Sequence, residues 1–443
     1  MLKKTALLAL SGGLVLSGIA IGTQDGESTA SGKPDWAGQG NGKVHNVIYM
    51  IPDGYNASYA TNYRWFKGEE SSFDPLVKGL MQTYSADTEV TDSAAAGTAM
   101  ATGVKTNNGM VGVTPDGEQV DSILDAAEVA GKSTGLVATS TITHATPAVF
   151  GSSVESRGDQ ALIAPQYFEN DVDVILGGGR DYFLPASDGG KQPELNLIES
   201  AESDGYEYVT NLEELTSAKS GKLLGLFADD AMAPELERGE TDQPSLADMT
   251  GAAIDALEQD KDGFFLMVEG SQIDWAGHAH DATWAMNDTK AFDEAVAAAI
   301  EYAKKDKNTL VVVAGDHETG GMSVGSNGVY DLNIDVLHDV KATGNKMAAE
   351  LNEDRSNAAE VLKEYADIEL TEEEAAVIAE ADNATMTINE IISDRAMVGW
   401  TTSAHTGVDV PVYAYGAQAH KFSGLLDNTD LPKLMGEVMK IEF

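Results

Sequence analysis

The sequence predicts an α/β fold with a large, mostly parallel central sheet, helices on both faces and a helix-rich surface insertion. Three observations carry that reading. Short runs rich in β-branched residues are apolar throughout, segments of helical period separate them, and one polar stretch between residues 321 and 399 interrupts the alternation. A run without polar alternation suits a strand buried on both faces, and alternating strands and helices suit a parallel sheet covered on both sides.

The strand-like runs fall at residues 44–51, 134–138, 172–176, 223–227, 264–268, 310–314 and 410–415. Residues 245–258 open with Ser245 three before Asp248, close to a capping box. Residues 281–305 carry Trp284, Phe292, Val296, Ala299, Ile300 and Ala303 on one apolar stripe, which predicts a long amphipathic helix. The polar stretch predicts helices at 346–352 and 357–365, and a third that begins at Thr371 with Glu374 as its capping partner. The expected organisation is one domain over residues 44–443 with an insertion at about 322–398.

Lys3 and Lys4 precede an apolar, Gly-rich run at residues 6–21, the pattern of an export signal. Ser11, Gly12, Gly13, Ser17 and Gly18 break the run, which is also short for a bilayer span of about 20 residues. Residues 1–21 are therefore expected to be a signal peptide, cleaved after Ala20 or Ala30, and residues 22–43 a disordered leader. Export places the mature chain in the periplasm or outside the cell. With no cysteine there is no thiol for a lipid anchor, a disulfide or a thiolate ligand, so any metal must be held by His and carboxylates.

Among 443 residues, 72 are acidic and 28 basic, for a formal net charge of −44. Phosphate backbones are bound by Lys and Arg, so nucleic acid is excluded as a partner. Hydrophobic residues make up 42% of the chain, which keeps it out of the disordered class. The charge reads as adaptation to saline surroundings, where salt screens self-repulsion, or as the surface of an ordinary acidic secreted protein.

Open α/β sheets bind ligands just beyond the carboxyl ends of their strands. Asp53 follows the first run, His144 and Thr146 follow the second, Glu269 ends the fifth, and Asp316 with His317 follows the sixth. In residues 91–103, Asp92 is a good N-cap for an Ala-rich helix ended by Gly103, so Ser93 lies at a helix N-terminus, where amide hydrogens and the helix dipole favour anions. Locally such a serine is either a cap or a nucleophile that needs an activator. Asp274 and His278 are four apart, on one helical face at about 6 Å, a spacing that can grip one ion. Asp316 and His317 offer adjacent carboxylate and imidazole groups, and His405 lies ahead of the last run. His280 faces elsewhere, and His45, His338 and His420 read as solvated or structural.

Taken together, these segments resemble the bacterial alkaline phosphatases over residues 44–443. The resemblance rests on residues 51–54, 91–103, 143–147 with Ser156 and Arg157, 268–278, 316–321, and on His405 with Thr406 and Gly407. It implies hydrolysis of small phosphate monoesters at alkaline pH through a phosphoserine on Ser93. By the same resemblance, Asp274, His278 and His405 hold one zinc ion, and Asp53, Asp316 and His317 hold a second, which Ser93 also meets. Asp53, Thr146 and Glu269 hold a third ion, usually magnesium. Arg157 clamps the phosphate, with Asp92, His144 and Trp275 just behind these groups. A homodimer with the insertion at the subunit contact is implied as well. Two cations about 4 Å apart suit in-line displacement, and a loose phosphoryl transition state asks chiefly for positioning and charge neutralisation.

The chain departs from the family pattern in places. Pro52 stands where Gly is usual, and Tyr55 and Asn56 replace the common Met and Gly. His144 and Trp275 occupy positions where some members carry Asp and Lys, which bears on the third ion's preference for magnesium. Trp275 cannot offer a cation to a phosphate-bound water, so phosphate is expected to leave faster.

Overall fold

The computed structural model describes residues 42–443; the expected signal peptide, and the expected leader up to residue 41, lie outside the described residues. Ten strands form the central sheet: β1 Asn46–Pro52, β2 Val77–Gln82, β3 Ser133–Thr141, β4 Val174–Gly178, β5 Glu207–Val209, β6 Leu223–Leu226, β7 Phe264–Gly270, β8 Thr309–Ala314, β9 Val410–Gly416 and β10 Gly424–Asp427. Across the sheet they run β10, β2, β9, β8, β1, β7, β3, β4, β6, β5. Among the described strands of this sheet, only β9 is antiparallel to its neighbours and the other pairings are parallel.

Every expected run is a strand. The apolar character has the anticipated cause: β1, β7, β8 and β9 are buried at every residue. Alternate residues serve two cores. Ile48 and Met50 of β1 and Val311 and Val313 of β8 face one, while Val47, Tyr49, Ile51, Leu310, Val312 and Ala314 face the other. Helices Leu246–Leu257 and Ala282–Lys305 close the first core; helices Ile123–Val129, Ala145–Gly151 and Asp430–Met439 close the second. Each fully buried aliphatic side chain contributes about 1.5–3 kcal/mol before entropy is counted, so this two-sided packing dominates the hold on the strands.

Three strands, β2, β5 and β10, carry no apolar run. In β2, Val77 and Leu80 are exposed and Lys78 interrupts; β5 has three residues; β10 is an edge strand with Leu425 exposed. Backbone pairing with neighbours makes these segments strands.

The helix starts follow their caps. Ser245 with Asp248, and Thr371 with Glu374, form reciprocal capping boxes. Between residues 322 and 398 lie helices Gly344–Ala349, Ala358–Ala366, Glu372–Glu380 and Ala384–Ala396, the last of which the sequence reading did not mark. A short antiparallel ladder, Ser323–Val324 against Val398–Gly399, closes the neck of this segment. Two of the departures near Asp53 have structural employment: Tyr55 is fully buried against Tyr59 and Phe73, and Asn56 caps helix Ala57–Lys67 by accepting from Ser58 N and Tyr59 N. No helix among the described residues is long and apolar enough to cross a membrane.

Candidate active site

The carboxyl ends of β1, β3, β7 and β8 share one edge of the sheet. Because β9 runs backwards, it starts at that edge, and the residues just ahead of it arrive there too. His405–Thr406 pairs antiparallel with Glu318–Thr319, which follow β8. This sets His405 on His317, their rings stacked with centroids 3.6 Å apart.

Asp274, His278 and His405 offer ligand atoms within 4.8 Å of one another. Helix Gln272–His278 puts the first two a turn apart, and each imidazole Nε2 lies 3.4 Å from an Asp274 oxygen. Thr319 donates its hydroxyl to Asp274 Oδ1. His278 Nδ1 is 2.8 Å from the Ser403 carbonyl, and His405 Nδ1 is 2.8 Å from the Thr91 carbonyl. A carbonyl only accepts, so each ring keeps its proton on Nδ1 and turns an Nε2 lone pair inward. The two Nε2 atoms stand 3.1 Å apart. Lone pairs that close need positive charge between them. Against the cost of burial, the two imidazoles hold Asp274 well below the usual carboxylate range, and Asp274 in turn raises both of them.

Asp53, Asp316 and His317 form a second group, all without solvent exposure. His317 Nε2 is 3.5 Å from Asp53 Oδ1 and 3.2 Å from Asp316 Oδ2, yet neither oxygen has a hydrogen bond among the described residues. Burial, then Asp316, raises Asp53 well above its ordinary value; burial, then Asp274, pushes Asp316 up to about 6. Burial and the neighbouring His405 drive His317 well below its own value, so the ring is neutral and cannot offset the carboxylates. Buried charges without a partner are expensive, and here several carboxylates converge with none.

Asp53 also belongs to a third group with His144 and Glu269. Both Glu269 oxygens lack a hydrogen-bond partner among the described residues, and burial pushes that carboxyl up to about 7. Thr146 Oγ1 is 3.4 Å from Asp53 Oδ2, on the same side. His144 Nε2 lies 3.1 Å from Arg157 Nη2, and its ring meets Trp275 edge-on. Burial and then Arg157 lower His144 to about 4. An arginine nitrogen only donates, so this contact puts the imidazole proton on Nδ1, which has no hydrogen-bond partner among the described residues.

Ser93 opens helix Ser93–Thr102. Asp92 caps it through Ala95 N at 2.9 Å, and Gly103, at φ 71°, ends it. The serine is buried, with Oγ 3.2 Å from His317 Nε2. The other Asp92 oxygen holds Arg157 Nη1 at 2.9 Å and Gly109 N at 3.0 Å. Arg157 thus reaches from the cap of the serine helix to His144.

The residues fit divalent ions. Orphaned carboxylate oxygens, inward Nε2 lone pairs and the absence of thiols make a His and carboxylate donor set suited to zinc at the first two groups; the oxygen-richer third suits a harder ion such as magnesium. Every residue singled out in the sequence lies at this edge, and His280 lies outside the three groups, stacked on Trp400. Thr319, Thr91 and Ser403 were not singled out. Thr319 sits inside the motif at residues 316–321 and was within reach; the two carbonyls leave no side-chain signal.

A mostly parallel sheet with three groups of His and carboxylate residues beside a serine at a helix N-terminus defines a metal-using α/β hydrolase. A sequence model of the alkaline phosphatase family matches residues 44–441. Alkaline phosphatase 4 of Bacillus subtilis is 42% identical over 99% of this chain and 97% of its own length. The crystal structure of Thermus thermophilus alkaline phosphatase superposes with a TM-score of 0.84 at 30% identity, covering 91% of this chain and 93% of that one. An alkaline phosphatase from the Antarctic bacterium TAB5, in a mutant form with Mg bound in its M3 site, gives 0.69 at 30% identity, over 90% and 99%. This chain belongs to the alkaline phosphatase family and is a phosphoric monoester hydrolase.

Proposed function

We propose that the chain hydrolyses phosphate monoesters through a covalent phosphoserine on Ser93. Asp274, His278 and His405 would hold one zinc ion, Asp53, Asp316 and His317 a second, and Asp53, Glu269 and Thr146, with His144 beside them, a magnesium ion. Bound there, divalent cations would supply the charge that neutralises phosphate oxygens and eases loss of a proton from an alcohol. The observation that carries the reading is the inward-facing pair of Nε2 atoms 3.1 Å apart, one ring stack away from the His317 that touches Ser93 Oγ.

In the first half-reaction Ser93 Oγ loses its proton and bonds to phosphorus as the ester P–O bond breaks and the alcohol leaves. In the second, water attacks the phosphoserine, inorganic phosphate departs and the hydroxyl is restored. The helix N-terminus favours the phosphate's negative charge. Arg157 is 30% exposed at its side chain and anchored by Asp92, so its guanidinium is presented to the phosphate with little rotamer freedom left to lose.

The test combines metal analysis with trapping. Purified enzyme should contain zinc and lose phosphate release in chelator, and acid quenching during turnover of a 32P-labelled ester should leave label on the peptide that contains Ser93. Label elsewhere, or full activity without metal, would refute the proposal. We read residues 1–21 as the signal of an exported enzyme and the assembled form as a homodimer; N-terminal sequencing of secreted protein and light scattering test these.

A further inference from the structure

A groove of about 510 Å³ opens beside His278. Its place relative to Ser93 follows from a row of contacts. Ser93 Oγ meets His317 Nε2 at 3.2 Å, the His317 ring stacks on His405, and His405 meets His278 at 3.1 Å. The groove begins at the far end of this row. In an in-line displacement the leaving oxygen departs opposite the attacking one, so the alcohol of an ester attacked by Ser93 leaves on the side away from that serine.

The walls are of unusual composition for this chain. Trp275, half-buried, and Trp284, 5% exposed, form the aromatic side; Asn345, Asn383 and Met386 come from helices of the insertion or their caps. Among the described residues, no Asp, Glu, Lys or Arg lines it, in a protein where 72 residues are acidic. Asn383 uses its side-chain oxygen to cap Met386 N at 3.1 Å, which leaves its amide hydrogens to donate.

We propose that this groove receives the alcohol portion of the substrate and selects uncharged, flat aromatic alcohols; the inference rests on the phosphomonoesterase reading above. Indole faces reward a flat ring by stacking or edge contact. A substrate with a second anionic group would bring a charge into a groove whose described lining has no Lys or Arg to pair with it, on a surface that already repels it. The insertion thereby acts as a specificity element, because it supplies one wall.

The experiment compares kcat/KM for 2-naphthyl phosphate and ethyl phosphate in the metal-loaded wild type and in Met386→Asp. Met386 lies in the first turn of helix Ala384–Ala396, where an acidic residue suits the helix dipole, so the variant keeps its fold. Its added charge repels the phosphate of both esters equally, and the ratio of the two cancels that effect. The naphthyl-to-ethyl ratio should fall about ten-fold in Met386→Asp. In a second variant, Asn345→Lys on the exposed rim, a carboxylate-bearing aryl phosphate should gain about five-fold on 2-naphthyl phosphate. Ratios unchanged in both variants would overturn the groove proposal and leave the phosphatase intact. Failure of the wild type to release phosphate from either ester would instead overturn the reading on which it rests.

Discussion

Replacing Asp92 with Ala removes three contacts with separable consequences. One oxygen caps Ala95 N at 2.9 Å; the other accepts from Gly109 N at 3.0 Å and from Arg157 Nη1 at 2.9 Å. The cap is worth about 1 kcal/mol and the unmet Gly109 amide about 1 kcal/mol more. The ion pair adds less than about 1 kcal/mol, since its side chains are 30% and 21% exposed. Asp92→Ala should therefore lower stability by about 2–3 kcal/mol, measured by denaturant unfolding in chelator so that bound ions do not mask it. Among the described residues, the Arg157 guanidinium would retain only its contact with His144. Ordering a freed guanidinium on phosphate costs more entropy, so the inhibition constant for inorganic phosphate should rise about ten-fold. Turnover should change by no more than about three-fold, because Ser93 keeps its place against His317. Asp92→Asn preserves the capping oxygen but puts an amide donor against two donors, so it should weaken phosphate as much and stability less. Phosphate inhibition unchanged in both variants would refute the idea that Asp92 positions Arg157.

Ser93→Ala loses one hydroxyl contact and should cost no more than about 1 kcal/mol of stability, while phosphate release falls at least about a thousand-fold with metal content retained; elemental analysis beside a release assay checks it. Gly54 sits at φ 76°, and a Cβ there would stand 2.7 Å from Asp274 Cα and 2.8 Å from Thr319 Oγ1. Gly54→Ala should therefore push apart the groups around Asp274 and Asp316 and lose at least one ion per chain, read by metal analysis after dialysis. Glu128, away from the site, accepts from Thr134 Oγ1 at 2.5 Å, and burial raises its carboxyl to about 7. A raised acid contributes stability that is complete below its unfolded pKa and is lost as pH rises through about 7, so Glu128→Gln should be more stable than wild type at pH about 8.5 and not at pH about 4, by about 1–2 kcal/mol once partial exposure is discounted. Chemical unfolding at the two pH values decides it.

Much of the fold could be read from the chain because burial on both faces leaves an unmistakable trace: strands such as Phe264–Gly270 have no polar alternation until Glu269. Caps were equally legible, since Ser245, Thr371 and Asp92 act through bonds to residues within three positions. Pairing was not. Val77–Gln82 and Gly424–Asp427 are strands because neighbours hydrogen-bond to them, and the reversed course of Val410–Gly416 leaves no mark in composition. The site shows the same division. Strand ends announced the carboxylates, but the carbonyls of Thr91 and Ser403 that fix two imidazole tautomers belong to the backbone and have no sequence signature. Between His144 and Thr146 the chain turns from loop to helix, where no period tells which side chain points inward; the structure brings His144 within reach of Asp53 and Glu269 and leaves Thr146 at 3.4 Å from Asp53.

The backward strand Val410–Gly416 has a consequence for biosynthesis. It wedges between Val77–Gln82 and Thr309–Ala314, and His405 is held at the rim only once the ladder to Glu318–Thr319 has formed. A polypeptide still emerging from the ribosome has its serine and most of its carboxylates, yet the cage stays open until the tail has docked. A copy whose segment around His405 has not yet been made therefore lacks the third member of the Asp274, His278 and His405 group, although the residues of the other two groups are already present.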